Sequence, residues 1–349
     1  MGVRMKKIAV LFGGKSSEYQ VSIQSVYSIL CNLDKEKYEI IPIGITKEGD
    51  WYHYIGDYQM IPENTWMEKE ENIIPVVISQ SPVAKGMIEI YEHKNNFVGL
   101  DYVLPILHGK NGEDGTVQGV FELAGIPILG CNTLSSALCM DKDRAHKLVA
   151  EQGIRTPKAV VLKAEDPINI KSLEEVLRYP MFVKPVRAGS SMGITKIHKR
   201  EEWEKAIEIA FSHDGEVIVE ETIEGFEVGC AVLGNTDLIV GRVDEIELSQ
   251  GFFDFYEKYN LKSSKIHMPG RIDSSLENKI QEIAKTIYKT LGCSGFARVD
   301  MFLTKEGEIV FNEVNTIPGM TTHSRYPNMM KGIGLSLADV LTKLVELYE

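Results

Sequence analysis

Cysteine is scarce and unpatterned in this chain. The five cysteines, Cys31, Cys131, Cys139, Cys230 and Cys293, are odd in number, scattered and never spaced as CxxC. That excludes a disulfide framework and a zinc ribbon, and leaves reduced, mostly buried thiols in a cytosolic protein. Long apolar runs are missing too: nothing approaches the length of a membrane span, and the opening residues carry no signal-peptide pattern, so a cytoplasmic location is expected. Positive charge falls short, with 38 Lys and Arg against 50 Asp and Glu and a net charge of −12. A nucleic-acid or anionic-membrane binder is excluded by that balance, although local basic pockets for phosphate are not. No GxGxxG occurs, which removes the dinucleotide-binding Rossmann enzymes.

What is present is enough for two or three domains, since 349 residues of ordinary apolar and charged content can bury proper cores. From residue 6 to about 130, apolar strands (KKIAVLF, YEIIPIGIT, VGLDYVLPIL, IPILG) alternate with helical spacings (VSIQSVYSILCNL, GTVQGVFELAG). This reads as an α/β domain over 1–130 with a parallel, doubly wound sheet. The polar stretch from Trp51 to Asn95 reads as an elaboration with short strands. SALCMDKDRAHKLVAEQG then reads as one helix ending near Gly153, followed by the strands KAVVL, YPMFVKPV, GITKIH and EVIVEE and one helix, EEWEKAIEIAF. That predicts a central α+β domain over 131–221. A third domain, 222–349, holds the strands FEVGCAVLG and LIVGRVDEIEL, a polar loop over 250–267, the helix SSLENKIQEIAKTIYKTLG, and the strands GFARVDMFLT and EIVFNEVN.

AVLFGGKSS, Ala9 to Ser17, loosely fits the P-loop pattern. Yet Ile8 to Phe12 is an unbroken apolar strand, leaving only Gly13-Gly14 as turn, too little backbone to wrap a phosphate. Ser17 with Gln20 has the form of a capping box, so we expect a turn feeding a helix N-terminus. The phosphate grip should lie elsewhere.

ARVDMFLTKEGEIVFNEVNTIPGMT is the most informative stretch. Glu313 and Asn315 are two apart on one strand and share a face, and Asp300 can lie opposite them in a hairpin. Carboxylates and an amide are a magnesium set rather than a zinc set. They interrupt apolar strands, which favours a metal over solvent as their partner. Lys184 ends a strand before the AGSSMG turn, which could close over an anion or be an ordinary hairpin with an exposed lysine. Lys142 sits on a helix, where a lysine is usually solvated. Glu220-Glu221 ends a strand and could accept from an adenine amino group or a ribose, as few such pairs do. His108 leaves a buried strand for a glycine-rich loop, a place suited equally to a ligand or to a backbone partner.

Together LFGGKSSEYQVS, LHGKNGEDGTVQG, SALCMDKDRAHK, FVKPVRAGSSMG, FARVDMF and NEVNTIPGMTTHSRYP, in this order, resemble the D-alanine–D-alanine ligases of the ATP-grasp superfamily over nearly the whole chain. The resemblance implies that the two later domains form an ATP-grasp. It implies an ATP-dependent carboxylate–amine ligase working through an acyl phosphate, with two magnesium ions for which manganese can substitute. Glu18 would hold the ammonium of the first D-alanine, with Ser190 and Tyr259 beside it and His108 near its carboxylate. Lys142 and Lys184 would grip the phosphates, Lys258 would lie on the γ-phosphate, and Ser191 would be a further ATP-binding residue. Glu220 and Glu227 would bind adenosine, with Glu221 nearby. Asp300, Glu313 and Asn315 would carry the metal ions. Arg298 and the N–H of Gly319 would stabilise the tetrahedral oxyanion, and the loop 250–267 would be the lid. A homodimer is implied as well.

One feature departs from the plain enzymes. Ser324 is followed by Arg325 where they carry an apolar residue. The arginine resembles the vancomycin-resistance ligases that add D-serine or D-lactate, and Tyr259, absent from the lactate-forming relatives, points to D-serine. A guanidinium can donate to the serine hydroxyl or bind the second carboxylate. It can equally hold a structural salt bridge. The alternatives are a D-alanine–D-alanine ligase of ordinary cell-wall synthesis and a non-catalytic ATP-binding regulator. Phe255 replaces the tyrosine usual in the lid.

Overall fold

A computed structural model describes residues 4–189, 192–248 and 264–349. Ser190, Ser191, Phe255, Lys258 and Tyr259 lie outside the described residues, as does most of the expected lid.

The N-terminal sheet has seven strands: β1 (Lys6–Gly13), β2 (Tyr38–Ile45), β3 (Trp51–Tyr54), β4 (Ile73–Ile78), β5 (Gly86–Ile90), β6 (Asn95–Gly99) and β7 (Tyr102–Pro105), in the order β6-β5-β4-β3-β2-β1-β7. Only β2, β1 and β7 run parallel. The strands expected to be parallel pair so, and β3 to β6, in and around the stretch read as an elaboration with short strands, add on antiparallel and make the sheet mixed. The links 46–50, 79–85 and 91–94 are too short for the crossover a parallel pair needs, whereas the longer link 55–72 does not by its length decide the direction of β4. IPILG contributes a single bridge, Ile128 to Val103, rather than a strand. Ile8 to Phe12 are fully buried, as a strand covered on both faces requires. Helix α1 (Tyr19–Asn32) presents Ile23, Val26, Ile29 and Leu30 to the sheet. Glu18, not Ser17, is its N-cap, and no side chain caps it; the Ser16 hydroxyl instead accepts from the Glu18 N–H at 3.1 Å. Helix α2 (Thr116–Leu123) follows the HGKNGEDG loop.

The expected long helix is two. Asp141 accepts from the Arg144 N–H and ends α3 (Thr133–Met140) while capping α4 (Lys142–Ala150). Lys142 thus opens a helix rather than lying along one. The central sheet is antiparallel, β8 (Ala159–Lys163), β9 (Met181–Pro185), β10 (Thr195–Ile197) and β11 (Glu216–Glu221), in the order β10-β9-β11-β8. Two helices pack on it, α5 (Ile170–Val176) and α6 (Trp203–Phe211), where one was expected; α5 is too short for its period to register.

In the C-terminal unit, β12 (Gly225–Leu233), β14 (Asp244–Leu248), β15 (Ser264–His267), β16 (Phe296–Thr304) and β17 (Ile309–Asn315) are ordered β15-β14-β12-β16-β17, with β13 (Ile239–Val240) on β12. LIVGRVDEIEL is thus two strands, parted at Gly241–Val243. Helix α7 (Ser274–Thr290) packs on β12 and β16. Helices α8 (Arg325–Lys331) and α9 (Leu337–Glu346) share one apolar core with α1 and β1, with Tyr326, Met329, Leu341 and Leu344 packed among Ile29, Leu30 and Phe12. The two ends of the chain are therefore welded together. No helix among the described residues is long and apolar enough to cross a membrane.

Candidate active site

Antiparallel pairing of β16 with β17 sets Asp300 opposite Glu313 and Arg298 opposite Asn315, with a bulge after Asp300. The Asn315 amide donates to Asp300 Oδ2 at 2.8 Å, so these two side chains share a face. Asp300 is 1% exposed. Arg298 holds it in a fork, Nε to Oδ1 at 2.8 Å and Nη2 to Oδ2 at 2.7 Å. Burial works against the Arg298 charge, but the charge and hydrogen bonds of Asp300 together with the charge of Asp244 prevail and raise the guanidinium above its ordinary value. Among the described residues no three His, Cys, Asp or Glu side chains converge on one point; the third oxygen donor here is the amide of Asn315. Asp300, Glu313 and Asn315 fit a hard divalent cation by donor chemistry, while in this structure the positive charge against Asp300 is guanidinium.

Lys142 and Lys184 approach from the central unit, on α4 and β9. Lys142 Nζ donates to the Ala188 carbonyl at 2.8 Å and lies 4.0 Å from Glu313 Oε2. Lys184 Nζ donates to Glu220 Oε2 at 2.6 Å, deep in the protein. Burial acts to raise the Glu220 carboxyl, but Lys184 and His146 prevail and hold it below the ordinary range. Glu221 turns away: its Oε1 accepts from the Lys158 N–H at 2.9 Å and faces Arg155.

Glu18 stands at the junction of the N-terminal and central units, 7% exposed. A Cβ on Gly189 would come within 2.7 Å of its Oε2, and one on Gly109 would collide with it. The glycines of both loops are what allow that approach. A cleft of about 710 Å³ opens here, lined by Lys15, Ser16, Glu18, Lys110, Arg187 and Gly189. His108 is 4% exposed and already partnered: Nε2 lies 3.3 Å from Ser25 Oγ and the ring also bonds the backbone of Ile317. Burial, with Arg298 adding to it, pushes the imidazole down to about 4, so it is neutral near pH 7.

Arg325 lies in a cage of carboxylates. Nε and Nη2 fork onto Asp244 at 2.7 and 2.8 Å, Nη1 donates to Glu227 at 2.6 Å, and Asp300 Oδ1 is 3.4 Å away. Gly229 makes room for it, since a Cβ there would collide with the guanidinium. Ser324 Oγ accepts from the Thr321 N–H at 3.0 Å and sits 2.9 Å from where a Cβ on Gly319 would be. Asp244 was not singled out in the sequence. It is fully buried in a strand, but with Glu245 and Glu247 beside it in VDEIEL no local pattern distinguishes it from a solvated acid. Glu113, within GKNGEDG, accepts from the Gly109 N–H at 2.9 Å and the Ile317 N–H at 3.1 Å. Burial and the carboxylates of Glu18 and Glu313 push its carboxyl up to about 8.

The N-terminal and central units line the cleft at Glu18, and Lys142, 4.0 Å from Glu313, and Glu113, bonded to the Ile317 N–H, join it to the C-terminal unit. The chain belongs to the D-alanine–D-alanine ligase family: the signature of the family's N-terminus matches residues 7–131 and that of its C-terminus residues 148–346. Members of this family are ATP-dependent ligases. The vancomycin C-type resistance protein VanC1 of Enterococcus gallinarum is 42% identical over 99% of each chain. A D-alanine–D-alanine ligase of Caldicellulosiruptor bescii is also 42% identical, over 98% of this chain and 94% of its own. Among solved structures, the VanG D-Ala:D-Ser ligase from Enterococcus faecalis superposes with a TM-score of 0.93 at 64% identity, over 99% of this chain and 100% of that one. The D-alanine–D-alanine ligase from Coxiella burnetii gives 0.87 at 33% identity, over 99% of this chain and 94% of its own.

Proposed function

We propose that this chain joins D-alanine to D-serine at the expense of ATP, making a dipeptide for a modified peptidoglycan precursor. The reading rests on the 64% identity to a structure described as a D-Ala:D-Ser ligase, together with the presence of Arg325 after Ser324.

Glu18 receives the ammonium of the first D-alanine, with Ser190 and Tyr259 completing that subsite. Lys142, Lys184 and Lys258 neutralise the phosphates, with Ser191 a further ATP-binding residue, and Glu220 and Glu227 receive the adenosine. Asp300, Glu313 and Asn315 hold divalent cations, which when bound supply charge neutralisation for phosphoryl transfer. A carboxylate oxygen of D-alanine attacks the γ-phosphorus; the bond to ADP breaks and an acyl phosphate forms. The free amine of the second substrate then attacks the acyl carbon. A C–N bond forms while the carbonyl electrons move to oxygen, where Arg298 and the Gly319 N–H stabilise them. Collapse of that oxyanion breaks the bond to phosphate, phosphate leaves, and the surplus ammonium proton is released.

Arg325 supplies serine preference through its charge at the second subsite. A hydrogen bond to a charged group is worth about 1.5–3 kcal/mol, or roughly ten- to a hundredfold in kcat/KM. One observation favours D-alanine as second substrate instead: Asp244 and Glu227 already take three of the guanidinium nitrogens' bonds. Feeding D-alanine and D-serine in equal concentration and weighing the dipeptides decides between them; a product that is only D-alanyl-D-alanine defeats the serine reading.

A further inference from the structure

The segment that carries Gly319 follows β17, yet side chains of the N-terminal unit hold it. The Ile317 N–H donates to Glu113 Oε1 at 3.1 Å, and the second oxygen of that carboxyl group accepts from the Gly109 N–H at 2.9 Å. The Met320 N–H donates to Ser25 Oγ at 3.3 Å, and that oxygen lies 3.3 Å from His108 Nε2. Ser25 is fully buried on α1. Its hydroxyl accepts from Met320, so its own proton goes to His108 Nε2, an acceptor in the neutral ring, and the other ring nitrogen carries the hydrogen.

Residues 317–320 have three backbone donors, because Pro318 has none. Two are bound by the N-terminal unit, and they flank the third. Among the described residues the Gly319 N–H has no partner. Gly319 is half-buried, so its N–H is available to an acceptor that a ligand supplies.

We propose that Ser25 and Glu113 are positioning residues for the capture of the acyl group: they fix Ile317 and Met320, so that the Gly319 N–H is left free and held still for the oxyanion. The inference rests on the ligase reading above. Neither residue touches a reacting atom; each acts through the backbone of 317–320. The oxyanion arises only when the amine attacks, so loosening the segment slows capture and spares phosphorylation of the carboxylate.

The test compares Ser25→Thr with Ser25→Val, which add the same bulk and differ only in the hydroxyl. Rapid-quench experiments on the full-length protein follow ADP and dipeptide in one reaction, with hydroxylamine in the quench to trap acyl phosphate. Misplacing a catalytic donor by about 1 Å can cost on the order of a hundredfold. Ser25→Val is expected to form dipeptide about ten- to a hundredfold more slowly than Ser25→Thr, with ADP formation within about threefold and trapped hydroxamate accumulating. Equal capture rates in the two variants, or an equal loss in both steps, overturns the proposal. Should Ser25→Val not fold, Glu113→Gln takes its place. It keeps the size of the side chain but puts an amide N–H against one of the two backbone donors, and the same readout supports or overturns the proposal. If the unaltered protein makes no dipeptide from any pair of D-amino acids, the ligase reading fails first, and visibly so.

Discussion

Removing the Arg325 guanidinium should unsettle the protein before it alters the substrate choice. Arg325→Leu leaves Asp244 fully buried with, among the described residues, the Gly229 N–H, 2.9 Å from Oδ1, as its remaining hydrogen-bond partner and the more distant charge of Arg298. Glu227 and Asp300 lose a cation at 2.6 and 3.4 Å. Asp300 keeps Arg298 and Asn315, so the orphan is Asp244. Breaking a buried ion pair from one side costs about 3–5 kcal/mol, a large share of the roughly 5–15 kcal/mol by which a domain is stable. Asp244→Asn alone should cost less, because its amide oxygen still accepts from Gly229. The double variant Asp244→Asn/Arg325→Leu has no orphaned charge and should recover at least about 2 kcal/mol relative to the sum of the singles. Urea unfolding of the four proteins measures this cycle. Serine-over-alanine preference in kcat/KM, measured in parallel, should fall about ten- to a hundredfold in both arginine variants. Additive stabilities would refute the cage as an ion-pair unit. A double variant that regains stability and keeps its serine preference would refute the role of Arg325 in selection.

Other consequences can be checked separately. Glu313→Gln should leave the fold and its unfolding midpoint intact while lowering dipeptide synthesis at least about a hundredfold, since one charge of the cation set is lost; full-speed synthesis would sink the metal assignment. Gly189→Ala puts a methyl 2.7 Å from Glu18 Oε2 and should raise KM for the first D-alanine far more than KM for ATP, read from initial rates. His108 gives a pH signature: the folded ring resists protonation down to about 4, whereas the unfolded one titrates near 6.5. The unfolded chain therefore binds the extra proton, and stability present above pH 6.5 is lost as pH falls toward 4, by about 3 kcal/mol at 1.36 kcal/mol per pH decade. His108→Gln should flatten that slope in urea titrations between pH 7 and pH 4.5; an unchanged slope would mean that the ring is not desolvated.

The parts of the protein that were legible in its sequence are those governed by local periodicity. Ile8 to Phe12 announced a strand buried on both faces, and the spacing of Glu313 and Asn315 placed them on one face with Asp300 opposite. In both cases the pleat alone carries the information. Where competing local interactions were short, the reading slipped: Asp141 ends one helix and caps the next through a single N–H bond, and α5 is seven residues long.

Partner identity across long separations was another matter. The side chains of β3 to β6 do not say whether a strand pairs parallel or antiparallel, and β4, which follows the long link 55–72, takes its direction only in the folded sheet. Arg325 reads the same in a sequence whether it awaits a substrate or sits on Asp244, and Ser25 on α1 has nothing in its neighbours to connect it with Met320. From its own pattern the sequence determined the strands, the donor types and their chemistry. Tertiary structure alone decided which donors meet, because hydrogen bonds and ion pairs reach only about 3 Å and the chain must fold before distant residues come that close.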